Sequence, residues 1–179
     1  MSTYNLTEAI GSGPFVEYVQ FHIDNLAGRD PLTVRQQAWA RYRDLVSGLN
    51  EQQLITPEKP DKWSIAGVFR HLADTELTFV YRMKLACVVD RPEVPPVSAD
   101  DWAKALDYWN LDPHRAISAY HAQAEDTAAW YASLREKLRR REFVHSEMGP
   151  QSVALGFHIL SSHDELHLKQ VARIRQAVL

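Results

Sequence analysis

Two histidines four residues apart, His163 and His167, stand in the segment Ser161-Ser162-His163-Asp164-Glu165-Leu166-His167. On a helix, one turn separates them and both imidazoles leave from the same face. A third histidine, His71, lies far upstream in Phe69-Arg70-His71-Leu72-Ala73-Asp74-Thr75-Glu76, also a helical stretch. If those two helices pack together, three imidazoles converge on one point. Three protein ligands with a position left open is the pattern of a reactive metal site, whereas a structural site closes with four. The same residues also fit a plainer account: two histidines hydrogen-bonded at a helix surface and one satisfied in the core. Burying an unpaired polar group costs ~1–3 kcal/mol, and a shared metal would satisfy two imidazoles at once.

The residues around the pair narrow the chemistry. A zinc peptidase helix reads His-Glu-x-x-His, but here Asp164 stands at the glutamate position, shorter by one methylene, and Leu166 precedes the second histidine. Twelve residues follow His167, and no third downstream ligand of the peptidase type is expected among them. Asp74, one turn after His71, could orient an imidazole as an outer acceptor or be solvated. Glu76 is expected to face away and pair with Arg82 or solvent. His22, His114, His121 and His145 have no ligand-spaced partner, and His158 lies about 140° around the helix from His163. Trp63, two turns before His71, sits near the same end of its helix.

These positions need helices to carry them. Apolar residues recur mainly at helical spacing, which predicts four long helices and a shorter one at the N-terminus. The short helix is expected over Phe15–Leu26, ending at Gly28, after breaks at Gly11-Ser12-Gly13 and Pro14. The first long helix opens at Pro31 behind the capping residue Asp30, with Arg35 at the edge of its apolar stripe. The second runs from Ile65 to about Val89, capped by Ser64. Residues 90–111, with Pro92, Pro95 and Pro96, make a long connection with a short helix around Asp101 to Leu106. The third runs from Pro113 to about Arg140, residues 141–151 form a turn, and the fourth begins near Ser152. On that last helix Gly156, Leu160, His163, His167, Gln170 and Ile174 share a face.

Composition bounds the rest. The chain has 179 residues, 45% hydrophobic and 24% charged, a soluble globular balance and the length of one domain. Net charge is −3, and Arg139-Arg140-Arg141 reads as a basic helix end, so no nucleic-acid partner is expected. One cysteine, Cys87, excludes an internal disulfide and a four-cysteine zinc site, and its apolar run places it in the core. No signal peptide and no membrane-spanning run is recognised, so a cytoplasmic protein is expected.

The stretches Lys62-Trp63-Ser64-Ile65, His71-Leu72-Ala73-Asp74-Thr75-Glu76 and Tyr81-Arg82 resemble the second helix of DinB-like proteins. The closing stretch from His163 to Val171 resembles that superfamily's last helix, and the likeness spans residues from about 31 to 175. It implies an all-α, up-down-down-up four-helix bundle with a long connection between helices two and three, in one domain over residues 1–179 with 1–30 as an extension. It implies a metal site of His71, His163 and His167, holding a divalent ion for which zinc or nickel suits imidazole ligands. It further implies a homodimer acting on a small-molecule substrate. Characterised relatives include thiol S-transferases using a low-molecular-weight thiol cosubstrate, so thiol transfer to a small electrophile is the first expectation. Metal-dependent hydrolysis, with Asp74 as the candidate base, is the alternative, and a non-catalytic metal-binding stress or interaction protein is a third.

Overall fold

The computed structural model describes residues 15–179. The breaks expected at Gly11-Ser12-Gly13 and Pro14 lie outside the described residues. The chain folds as a four-helix bundle of α2 (Pro31–Val46), α4 (Ile65–Val88), α6 (Pro113–Ser133) and α8 (Val153–Val178). Shorter elements are α1 (Val16–Leu26), α3 (Glu51–Ile55), α5 (Ala99–Ala105), α7 (Glu136–Arg139) and strands β1 (Glu93–Val94), β2 (Glu142–His145) and β3 (Gly149–Ser152). Among the described residues, no helix is long and apolar enough to cross a membrane.

Each bundle helix begins where a side chain can satisfy the free amides of the first turn. The Asp30 carboxylate accepts from Thr33 N at 2.9 Å, with Pro31 at the first helical position. Ser64 Oγ accepts from Gly67 N at 3.2 Å, and Ser152 Oγ accepts from Leu155 N at 3.0 Å. Asp112 accepts from His114 N at 2.9 Å and Arg115 N at 3.1 Å. The expected starts at Asp30-Pro31, Ser64, Asp112-Pro113 and Ser152 are all observed.

Within the bundle α4 lies between α6 and α8, and α2 packs on α8 and α6. One cluster, around Tyr42, Phe69, Leu72, Tyr120 and Ile174, fills one end of the bundle. A second, around Met83, Phe143, Phe157 and Leu160, fills the other. The long connection between α4 and α6 carries β1 and the short helix α5, as its length requires.

Two segments depart from the sequence reading. The third helix stops at Ser133 rather than near Arg140, because Leu134 and Arg135 take extended dihedrals. The Arg139 guanidinium then turns back to donate to the Tyr131 and Ala132 carbonyls, at 3.1 and 3.3 Å. Residues 141–151, expected as a turn, form the β2–β3 hairpin, with Phe143 opposite Gln151 and His145 opposite Gly149. β1 adds to β2 in parallel, giving a small three-stranded sheet beside the helices. Phe143 is fully buried from this sheet against the second cluster, which anchors the hairpin. Four-residue strands are too short for alternation to stand out in the sequence.

α1 packs on α8, and its residues reach into that helix. His22 Nδ1 lies 2.9 Å from Ser162 Oγ, and Asn25 Nδ2 donates to Ser162 O and Oγ, both at 3.0 Å.

Candidate metal centre

The helix α4 supplies His71 and α8 supplies His163 and His167, and the packing of those helices brings all three rings together. His71 Nε2 and His163 Nε2 are 3.0 Å apart, as are His167 Nε2 and His163 Nε2. A ligand nitrogen from each residue lies within 4.8 Å of the others. Nitrogens about 2.0–2.1 Å from a common tetrahedral ion stand roughly 3.3 Å from one another, close to the two 3.0 Å separations here.

Hydrogen bonding fixes which nitrogen faces inward. His167 Nδ1 is 2.7 Å from Gln170 Oε1, an oxygen that can only accept. The proton therefore sits on Nδ1, and Nε2 presents a lone pair to the other two rings. The Nδ1 of His163 is buried without a partner among the described residues. Burial, then the charge of His167, pushes the His71 pKa down to about 3. Burial likewise lowers His167 to about 4 against the opposing bond from Gln170, and His163 falls well below its ordinary value. Three imidazoles that burial keeps neutral, with their Nε2 atoms turned towards one another, are a fitting donor set for a divalent metal ion.

The wall around the cluster is built at the N-terminal end of α4, together with the connection that follows α5. The Trp63 ring packs on His71 at a 35° tilt with centroids 4.8 Å apart, and the Tyr108 ring lies 5.9 Å from Trp63. Gly67 permits this closeness: a Cβ there would stand 3.2 Å from both Trp63 Cβ and the Tyr108 carbonyl oxygen. Asp74 lines the cavity beside His71, but its carboxylate is engaged by Arg70, Nε at 3.0 Å and Nη2 at 2.5 Å, and by the Tyr108 hydroxyl. It therefore does not orient an imidazole; the outer acceptor observed in the cluster is Gln170.

Behind the histidines lies a buried ionic group. Arg35 of α2 pairs with Glu76 of α4 and with Asp164 of α8, the latter at 2.5 Å, and all three side chains are essentially inaccessible. Tyr120 donates its hydroxyl to Asp164 Oδ1 at 2.8 Å, and Tyr42 donates to the Asp164 carbonyl at 2.9 Å. This corrects two expectations. Glu76 does not face solvent or pair with Arg82, because its helix face turns into the bundle where Arg35 meets it. Arg35 is not at a stripe edge but at the centre. Desolvation pushes the Asp164 carboxyl up to about 6, partly offset by Arg35. Cys87, expected in the core, is half-buried beside the second cluster.

A cavity of about 240 Å³ opens against His71 and His163. A face of α4 lines it from His71 through Asp74, Thr75, Thr78 and Phe79 to Arg82. Trp102 from α5 and His145 from β2 close other sides. Sequence reasoning passes over Arg82 and His145 as cavity residues, although the three- and four-residue spacing from His71 to Arg82 is a signal for the first.

A four-helix bundle holding three inward-facing imidazoles on two neighbouring helices belongs to a recognisable class, in which the bundle core presents a cluster able to hold a metal. Residues 36–171 match the DinB superfamily, and the chain belongs to that family. It is 31% identical over 143 residues to the candidate metal-dependent hydrolase GK0616 of Geobacillus kaustophilus (strain HTA426), covering 75% of this chain and 76% of that protein. It is 32% identical over 140 residues to BH0277 of Halalkalibacterium halodurans, also named a candidate metal-dependent hydrolase, covering 78% and 80%. Among solved structures it is similar to YfiT from Bacillus subtilis, described as having an unusual four-helix bundle topology. That likeness has a TM-score of 0.67 at 23% identity, covering 80% of this chain and 84% of that one, and it establishes the fold.

Proposed function

We propose that this protein is a metal-dependent hydrolase of small molecules, with His71, His163 and His167 holding a divalent cation. The observation that carries the reading is the cavity against His71 and His163, which gives a substrate access to the cluster. A closed structural site would have no such access. The relatives named as candidate metal-dependent hydrolases point the same way. When bound, the cation supplies Lewis-acid polarisation of the substrate and activates water for attack. Zinc and nickel both suit three imidazoles.

The chain's own residues do the rest. Gln170 holds the His167 proton at Nδ1, keeping Nε2 free as a ligand. Trp63 packs on the His71 ring and restricts its rotation. Asp74 is the carboxylate beside the cluster, oriented by Arg70 and Tyr108, and the one acceptor site left on its Oδ1 suits it to take a proton from water. Hydrolysis is preferred to thiol transfer, the first expectation from the resemblance, because the similar proteins are named as candidate metal-dependent hydrolases.

The test is a panel of small esters and amides offered to protein loaded with zinc or nickel. Turnover in the loaded parent, lost in His163→Ala and reduced at least tenfold in Asp74→Asn with metal retained, is expected. Turnover unchanged in His163→Ala would refute the reading, as would none in the loaded parent.

A further inference from the structure

The cavity contains a cation that no described carboxylate neutralises. Arg82, on the α4 face that carries His71, is 5% exposed. Its Nη2 donates to the Pro95 carbonyl at 2.5 Å, and its guanidinium lies 5.6 Å from the centre of the Phe79 ring. Among the described residues no carboxylate pairs with it, and that single carbonyl is its one hydrogen-bond acceptor. A guanidinium offers five N–H donors. Asp74, the carboxylate of the same cavity, is already neutralised by Arg70. Withdrawing a cation from water without an opposite charge is costly, and burial lowers the Arg82 pKa accordingly.

A second donor lies in the same cavity wall. His145 is 3% exposed, and its Nδ1 accepts the amide hydrogens of Glu147 and Met148, both at 3.2 Å. A ring nitrogen that accepts is bare, so in the neutral ring the proton sits on Nε2. No described residue accepts from that Nε2–H. The β2–β3 hairpin thus delivers a pre-set donor into the cavity that Arg82 lines.

We propose that Arg82 and His145 form an anion subsite, gripping a carboxylate or phosphate on the substrate while its scissile bond lies at the three histidines. This rests on the hydrolase reading and specifies its substrate class: a small molecule with an anionic group at one end. The geometry sets the span. Arg82 stands three turns beyond His71, about 16 Å along the helix axis, and helical side chains lean towards the N-terminus, which shortens the gap. Thr75 and Thr78 lie between the two ends, with Phe79 and Trp102 as apolar wall. The competing account is that Arg82 only fastens the connection after α4 through Pro95.

The two accounts separate in a binding experiment that needs no turnover. Zinc-loaded protein is titrated with N-benzoylglycine, with its uncharged primary amide and with phenyl phosphate, followed by ligand-observed NMR. Metal content is measured in the same samples. The subsite predicts that at least one anion binds tenfold or more tightly than the amide. Charge-assisted hydrogen bonds of ~1.5–3 kcal/mol imply a loss of about tenfold to a hundredfold in Arg82→Gln, with metal retained. Arg82→Lys should recover part of that loss, and it guards against misfolding of the first variant. Whether the carboxylate or the phosphate binds better identifies the headgroup. Equal binding of acid and amide, unchanged anion binding in Arg82→Gln, or no binding of any of the three would overturn the subsite. Failure of the metal reading appears separately, as parent protein that takes up no zinc.

Discussion

At the scale of single residues, the cluster depends on which nitrogen of each imidazole carries its proton. Gln170 decides this for His167 by accepting from Nδ1. Replacing Gln170 with Leu keeps the approximate volume and removes the acceptor, freeing the ring to turn or change tautomer. Loss of such an outer partner typically weakens metal affinity 10–100-fold. Competition with a chromogenic chelator should show that weakening for Gln170→Leu, with helicity unchanged by circular dichroism; equal affinity would remove Gln170 from the account. The three clustered histidines are legible in the sequence: the i, i+4 spacing selects His163 and His167, and the DinB resemblance adds His71. Asp74 is legible as a neighbour of His71, but its partners are not. Tyr108 approaches from the connection before α6, and no local pattern announces a contact across that many residues. His145 has no ligand-spaced partner in the sequence, and its position depends on a hairpin that four-residue strands do not announce.

At the scale of elements, α2, α4 and α8 are fastened at mid-bundle by Arg35, Glu76 and Asp164. Asp164 neighbours His163, so the ionic group fixes the rotation of α8 that turns His163 and His167 towards α4. Such groups serve specificity more than net stability, and removing one partner leaves a buried charge uncompensated. Arg35→Met should therefore destabilise the protein by ~3–5 kcal/mol in urea unfolding, because two carboxylates remain buried behind it. A loss below about 1 kcal/mol would mean that the cluster is hydrated and does not hold the helices in register. The sequence discloses the helix starts well, since Asp30, Ser64, Asp112 and Ser152 act locally through their own first turns. It hides the ionic group because its members lie on three elements, and each alone reads as an ordinary surface charge.

At the scale of the whole molecule, acidity should act on the metal-free protein through its buried imidazoles. Burial lowers His22 to about 4, His71 to about 3 and His167 to about 4, against 6.5 for an ordinary histidine. As pH falls below about 6.5, the unfolded chain takes up protons that the folded chain refuses. The stability these groups contribute is therefore complete above about pH 6.5 and is lost between there and about pH 4. Each group changes stability by up to ~1.4 kcal/mol per pH unit in that window. Asp164, raised to about 6, acts in the opposite sense, since its folded form gains a proton first, but it is outnumbered by the histidines lowered by burial. Urea midpoints of metal-free protein should fall steadily from pH 6.5 to 4.5, and a flat profile would contradict the burial of these rings. A bound cation adds stability to the folded state alone, so metal-loaded protein should unfold at higher urea than metal-free protein.

In the proposed function, three imidazoles from two helices hold one metal ion. The most direct measurement is elemental analysis of the purified, untagged protein beside His163→Ala, each after exposure to zinc or nickel and removal of loose metal. About one divalent ion per chain in the parent and essentially none in the variant, with circular dichroism unchanged, is the predicted result. Equal metal in both proteins, or none in the parent after reconstitution, would contradict the account and leave the histidines as part of the core.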